Sequence, residues 1–408
     1  MITFERIHVK QDSQTRLIHA PRKAPQLISS IQPPLYRAST IIFNNTDALF
    51  NRHWSDEYDY SYGTHGTPTT FTLGDNIAQL EGGLYHLLAP SGLSAINLVN
   101  SCFLSQGDEV WVADNIYGPN MEHLRNLEKR CGITVKVYNP IEIETFQPTD
   151  NAKLIWLEAA GSVTLEFPDL TGLVKKAQAH NMVTVLDNTW GAGLAFNAFD
   201  FGHEHLSVDI TVHALTKYPS GGGDILMGSV VTRDKVLHNQ LFRAHALQGI
   251  SVSGDDVAQV QRSLASMQLR YEHQSQSCLT ILDWLKQQTE LIQVLHPADS
   301  DSAGHPYWKE ICRQAHSAGL VSVIFDSKYT IQDIRNFCDS LSLFKLGFSW
   351  GGPVSLVMLY NLNDMRVLQH SHLKDGLLVR FCIGLEHPKD LIQDIQHALE
   401  QMKKLKHE

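Results

Sequence analysis

Between Asp75 and about Val231, short apolar runs alternate with amphipathic stretches, and this alternation limits the fold more than any other feature of the chain. The runs lie in HLLAPSGLSAINLV, DEVWVADNIY, ITVKVY, KLIWLEAA, VTVLDNTW, DITVHALTKY and ILMGSVV, and most of them end in a small or polar residue. Each reads as a buried strand, and several of the segments between them read as helices. In PDLTGLVKKAQAH, Leu170, Leu173, Val174 and Ala177 recur at helical spacing, with Pro168 near the start and both lysines on the other face. Strands alternating with helices predict an α/β fold whose mainly parallel sheet is covered on both sides and binds ligands at the carboxyl ends of its strands.

Ahead of this region, SSIQPPLYRASTIIFNNTDALFNRHWSDEYDYSYGTHGTPTT is rich in aromatic and turn residues and keeps no sustained period, as expected of an extended arm that needs another surface to hold it. After about Ser253 a long helical stretch, GDDVAQVQRSLASMQLRYEHQSQSCLTILDWLKQQ, leads into GLVSVIFDS, SLFKLGFSW, VSLVMLY and GLLVRFCIGLE. The chain then closes on HPKDLIQDIQHALEQMKKL, where Leu391, Ile395, Leu399 and Met402 mark one helix face. The organisation expected is an N-terminal arm over residues 1–62, a large domain over 63–253 and a smaller C-terminal α/β domain over 254–408.

Composition narrows the function. A formal net charge of -10 without a dense lysine or arginine block argues against nucleic acid or an anionic membrane as partner. The N-terminal residues lack the apolar core of a secretory signal, and no run approaches the ~18 apolar residues of a membrane span. Six scattered cysteines without a C-x-x-C pair fit reduced thiols in a cytoplasm. Two H-x-H pairs occur, His203 with His205 and His370 with His372, but neither has nearby cysteines or an H-E-x-x-H helix, so no metal site is expected.

Several residues stand where chemistry is natural. Lys217, in VHALTKYPSGGGD, ends an apolar run; it either closes a strand at the surface or is an amine held in a pocket, where partial desolvation leaves it neutral enough to form a Schiff base with an aldehyde cofactor. Thr216 beside it offers a hydroxyl to a phosphate oxygen. Asp187 emerges from VTVL and is either a turn former or a carboxylate for a pyridinium N–H, because burial without a partner is costly. Ser91 and Gly92 open a helix after a strand, an anion seat of backbone amides that lacks a P-loop lysine and so suits a phosphate ester. Tyr117 follows another strand and is placed to stack on an aromatic cofactor or simply to pack. Arg380, inside GLLVRFCIGL, needs an acid or a carboxylate ligand if buried, and Ser349 and Trp350 of FSWGGP come near it if these strands pair.

Taken together and in order, YGTHGTPT, LEGG, PSGLSA, DNTW, HALTKY and SWGG resemble the pyridoxal-phosphate (PLP) enzymes of cysteine and methionine metabolism, with the likeness running from LIHAPR and QPPLYRAST to LVRFCIGLE. The resemblance implies the aspartate-aminotransferase-like PLP fold (fold type I), with a seven-stranded sheet in the large domain, and a homotetramer built from dimers whose sites are shared between two chains. It implies that Lys217 carries the cofactor and moves the Cα proton, that Asp187 pairs with the pyridine nitrogen, and that Tyr117 stacks on the ring. By the same likeness Ser91, Thr216 and the Gly92 and Leu93 amides hold the phosphate, Thr189 and Ala214 complete the cofactor contacts, and Tyr62 reaches in from the neighbouring subunit. Arg380 and Ser349, beside Trp350, bind the substrate α-carboxylate.

Two positions depart from the family pattern. Thr64 stands where an arginine usually contacts the phosphate, and Ala214 stands where the S-A-T-K run has its serine. The spellings EAAGSVTLE, Trp190 in DNTW, Pro119 after YG and Trp350 in SWGG are those of the members that eliminate at Cβ. They point to L-cystathionine as substrate, with homocysteine, pyruvate and ammonia as products. Elimination or replacement at Cγ, a broader action on cysteine S-conjugates, and a cofactor-binding scaffold without catalysis are the alternatives.

Overall fold

The computed structural model describes residues 12–18, 31–52, 60–202, 206–313 and 316–407. His203, His205 and the part of LIHAPR beyond Ile18 lie outside the described residues. Seven strands form the large sheet: β1 (Tyr85–Ala89), β2 (Glu109–Ala113), β3 (Thr134–Tyr138), β4 (Ala152–Glu158), β5 (Val183–Asp187), β6 (Ile210–His213) and β7 (Gly228–Thr232). Their order is β1-β7-β6-β5-β4-β2-β3, and only β7 runs against its two neighbours. Each expected apolar run supplies one strand.

Apolar side chains cover both faces. On one, Leu154, Trp156, Val185 and Val212 pack with Ala95, Ile96 and Val99 of helix Gly92–Phe103. On the other, Ile155, Leu157 and Leu186 meet Leu173 and Val174 of helix Leu170–Ala179 together with Leu73 and Ile77 of helix Pro68–Glu81. Burying a side chain of this size is worth ~1.5–3 kcal/mol, which explains why the strands read as unbroken apolar runs rather than alternating ones.

The parallel register brings polar strand ends together. Glu158, the last residue of β4, pairs with Asp187, the last of β5, which pairs in turn with Val212 of β6. Ser91 follows β1 and Tyr117 follows β2 on the same carboxyl side, and Lys217 follows β6.

The second sheet comprises β8 (Leu291–Leu295), β9 (Leu320–Phe325), β10 (Lys345–Leu346), β11 (Leu356–Asn361) and β12 (Leu377–Cys382), in the order β10-β11-β12-β9-β8. It is antiparallel except for the β10–β11 pair. Val323, Phe325, Val379 and Phe381 pack against Phe337 of helix Ile331–Ser340 and against Leu391, Ile395, Leu399 and Met402 of helix Pro388–His407.

Three details differ from the sequence reading. The long helical stretch breaks at a 3-10 turn, Leu264–Ser266, between helices Gly254–Ser263 and Met267–Leu285. Val257 and Val260 of the first helix pack into the core of the large sheet. SLFKLGFSW keeps only two residues in strand form, and the edge strand β8 was not foreseen because its residues are mostly half-exposed. Among the described residues no helix is long and apolar enough to cross a membrane.

Candidate active site

Lys217 sits in a tight turn after β6, where its own N–H donates to the Ala214 carbonyl at 3.1 Å. Its Nζ donates to Ser349 Oγ at 2.8 Å and lies 5.5 Å from the centre of the Trp350 ring. Burial, followed by the positive charge of Arg380, pushes the amine down to about 8. It is therefore a partly neutral nucleophile near neutral pH. Gly351 is required at this junction: its φ is +75°, and a Cβ there would stand 3.0 Å from Tyr218 N and 3.3 Å from Lys217 Cα.

Asp187 is half-buried, and among the described residues no ion pair reaches it. Its Oδ1 accepts from the Thr189 amide at 3.0 Å and from Thr189 Oγ1 at 2.5 Å. Thr189 Oγ1 accepts in turn from the Ala214 amide at 2.9 Å, which ties the acid to the lysine turn. Burial holds the Asp187 carboxyl above its ordinary range against these hydrogen bonds and the nearby His213 ring. An acid so placed gains from a cationic N–H donor entering the pocket.

Glu158 was not singled out in the sequence, although it closes KLIWLEAA as Asp187 closes VTVLD. It is buried, accepts from the Tyr117 amide at 2.5 Å and the Ser162 amide at 3.0 Å, and is pushed up to about 8 by burial and then by Asp187. Tyr117, at the mouth of helix Gly118–Cys131 and 40% exposed, hangs from a backbone that Glu158 holds.

Ser91 caps helix Gly92–Phe103 by accepting from the Ser94 amide at 3.0 Å. A Cβ on Gly92 would come within 2.7 Å of Ala214 Cβ, and one on Gly228 within 2.4 Å of the Ser91 carbonyl oxygen. Glycine at both places lets β6, β7 and the helix mouth close around the Gly92 and Leu93 amides, an arrangement suited to a phosphate ester. The Thr216 hydroxyl is at present engaged with Met227, accepting from its amide at 3.1 Å and facing its carbonyl at 3.3 Å.

Arg380 lies on β12, 8% exposed, with its buried Nε unpartnered and no ion pair among the described residues. The Tyr360 ring, another feature not anticipated, lies 5.4 Å from the guanidinium carbon. A buried cation without a counter-charge is expensive, so this one is set to receive an anion. Tyr62 stands apart from this cluster. It pairs with Thr40 in an isolated bridge on the arm and is 46% exposed, and Thr64 is exposed as well. His370 and His372 are committed to carboxylates: His370 Nε2 lies 2.6 Å from Asp114 and His372 Nε2 lies 3.1 Å from Glu166.

Fold and site together define an α/β enzyme scaffold in which a lysine amine of lowered basicity, a carboxyl held above its ordinary range and a glycine-opened helix mouth gather at the carboxyl ends of the strands. These residues fit PLP, and each answers a feature already present: the Lys217 amine pushed down to about 8, the desolvated acid and the cradle at Gly92. The chain belongs to the Cys/Met metabolism PLP-dependent enzymes, whose family model matches residues 14–400. A Rhizobium johnstonii protein, whose name as a cystathionine beta-lyase is provisional, is 37% identical over 390 residues, covering 94% of this chain and 95% of its own. The cystathionine beta-lyase of Bordetella avium is 34% identical, with 90% and 91% covered, and the L-alanine/L-glutamate racemase of Wolbachia pipientis wMel is 30% identical, with 95% and 96% covered. Among solved structures, the cystathionine gamma synthase of Xanthomonas oryzae pv. oryzae superposes with a TM-score of 0.84 at 25% identity, covering 97% of this chain and all of that one.

Proposed function

We propose that this chain is a carbon–sulfur lyase that takes L-cystathionine and water to homocysteine, pyruvate and ammonia. It acts in the cytoplasm as a homotetramer in which Tyr62 serves the neighbouring subunit. The observation that carries the reading is the Lys217 amine, pushed down to about 8 and 2.8 Å from Ser349 Oγ, beside an Arg380 that has no counter-ion among the described residues. When bound, PLP supplies the electron sink that makes the Cα–H of an attached amino acid acidic.

Arg380 and Ser349 receive the α-carboxylate, and the Trp350 ring walls the space beside the amine. That orientation leaves the Cα–H facing Lys217, whose neutral amine removes the proton and holds it for delivery to the departing homocysteine sulfur. Asp187, fixed by Thr189, accepts the pyridine N–H; Tyr117 covers the ring. Ser91, the Gly92 and Leu93 amides and Thr216, flanked by Ala214, hold the phosphate. Thr216 reaches it by turning its hydroxyl proton away from the Met227 carbonyl.

Relatives named as β-lyases reach 34% identity, whereas the γ-synthase structure stands at 25%, which supports release from Cβ over Cγ. The test is product analysis with L-cystathionine. Pyruvate and homocysteine are expected; 2-oxobutyrate and cysteine would move the reading to elimination at Cγ. The racemase relative gives the comparison substrate, L-alanine, which has no group to expel from Cβ. Conversion of L-alanine to its D-form without any turnover of cystathionine would replace the proposal. Borohydride trapping of PLP on Lys217 with no turnover of any sulfur amino acid would leave only a scaffold.

A further inference from the structure

The connection between β11 and β12 does more than return the chain. From Arg366 to His372 it reaches across to the large sheet and grips two acids, Asp114 and Glu166, whose side chains are almost fully buried. Asp114 Oδ1 accepts from the Val367 amide at 2.9 Å, and its Oδ2 accepts from the Leu368 amide at 3.0 Å and meets His370 Nε2 at 2.6 Å. Glu166 meets His372 Nε2 at 3.1 Å and Arg366 Nη2 at 3.4 Å, and Arg366 also reaches the Thr164 hydroxyl. Burial pushes the Asp114 carboxyl up, but His370, the two amides and Arg366 overcome it and hold it below its usual range.

The location of the two acids gives the contact its use. Asp114 directly follows β2 and stands three residues before Tyr117. Between them, Asn115 donates from Nδ2 to Glu166 Oε2 at 2.9 Å, and its carbonyl accepts from the Ser162 amide at 2.9 Å. Glu158 completes the frame by accepting from both Tyr117 and Ser162. At the other end, the gripping segment is covalently continuous with β12, which carries Arg380, and with β11, which carries Tyr360. One unit of the chain therefore holds the substrate-binding arginine and also pins the turn that carries the stacking tyrosine.

We propose that Arg366, His370 and His372 form a latch that sets the Tyr117 turn at a fixed position relative to Arg380, making His370 and Asp114 positioning residues for cofactor and substrate. The inference rests on the reading that Tyr117 stacks on the cofactor ring. The H-x-H pair then has a role that needs no metal: two imidazoles, separated by one residue, each meet a separate buried acid beside the large sheet.

The test uses the holoenzyme, with PLP dissociation constants measured on dilution for the parent, His370→Ala, His370→Gln, Tyr117→Ala and the Tyr117→Ala/His370→Ala pair. His370→Ala is expected to weaken PLP binding about tenfold, ~1.4 kcal/mol, and to raise the KM for L-cystathionine several-fold with kcat within about twofold of the parent. His370→Gln keeps a donor for Asp114 and is expected to restore both. In the Tyr117→Ala background, His370→Ala should add little, because the two residues act through one turn. Fully additive losses, or a His370→Ala variant that lowers only the thermal midpoint, would overturn the latch. A Tyr117→Ala variant with unchanged PLP affinity would instead overturn the stacking reading, and the KM of His370→Ala alone would then decide whether the latch positions Arg380. If His370→Ala does not fold, Asp114→Asn, which keeps shape and loses charge, is measured against the same outcomes.

Discussion

Lys217 Nζ donates to Ser349 Oγ at 2.8 Å across 132 positions of sequence, joining the turn after β6 to the segment that enters β11. The amine proposed to move the proton and the hydroxyl proposed to help seat the carboxylate are thus set against each other within one chain. Replacing Ser349 with alanine removes one carboxylate ligand and one acceptor for the amine. Steady-state kinetics should show KM raised about 10- to 150-fold, the size of a lost hydrogen bond to a charged group, with a smaller fall in kcat. An unchanged KM would remove Ser349 from the carboxylate seat.

The depressed basicity of Lys217 makes its own prediction. Capture of PLP by the cofactor-free protein needs the neutral amine, so its rate should rise with pH around a midpoint of about 8. Arg380 contributes to the shift, so an Arg380→Met variant should carry that midpoint upward. Stability follows the same linkage: between about 8 and the ordinary 10.5 the unfolded chain binds the proton that the folded chain has released. Stability of the cofactor-free protein should therefore rise with pH across that window, and Lys217→Met should abolish this part of the rise in urea unfolding.

Gly92→Ala tests the phosphate seat by shape alone. Its new Cβ would lie 2.7 Å from Ala214 Cβ and 3.1 Å from Ala214 Cα, so either the helix mouth or the lysine turn must move. Overpacking of this kind costs ~1–3 kcal/mol. Equilibrium dialysis should show PLP affinity reduced at least tenfold, while Gly107→Ala, whose φ of +90° costs stability but whose added carbon meets no neighbouring atom within 4 Å, should leave affinity as it is.

Much of this architecture was legible because parallel strands buried on both faces leave unbroken apolar runs, and polar residues at their ends stand out. Asp187 and Lys217 were visible for that reason. Glu158 gave the same signal in KLIWLEAA, but it took the in-register pairing of β4 with β5 to show that it adjoins Asp187. Arg380 was marked by charge in an apolar strand, whereas Tyr360 could not be, since its significance lies in an approach from the neighbouring strand and not in its neighbours along the chain. The His370–His372 pair was weighed only against metals because its acidic partners lie 256 and 206 positions away. Edge strand β8 lacked the apolar run that identified the others, since its side chains are mostly half-exposed.

Tyr360 offers the sharpest test of how the proposed carboxylate seat is kept ready. Arg380 is 8% exposed and has no counter-ion among the described residues, so in the free enzyme its charge is desolvated without a partner carboxylate. The Tyr360 ring, 5.4 Å from the guanidinium carbon, offsets part of that cost through its negative π face, a contribution of ~0.5–2 kcal/mol between exposed and desolvated sites. Tyr360→Leu keeps the bulk and loses the π face; the arginine then has more rotational freedom and a weaker hold on its orientation. The KM for L-cystathionine should rise about 3- to 30-fold, matching that energy at 1.4 kcal/mol per tenfold. Tyr360→Phe, which retains the ring and loses only the hydroxyl, should stay within about twofold of the parent, because cation–π attraction needs the face and not the phenol. If Phe and Leu raise KM equally, the hydroxyl and not the ring is the contact that matters, and the stacking account of Arg380 fails.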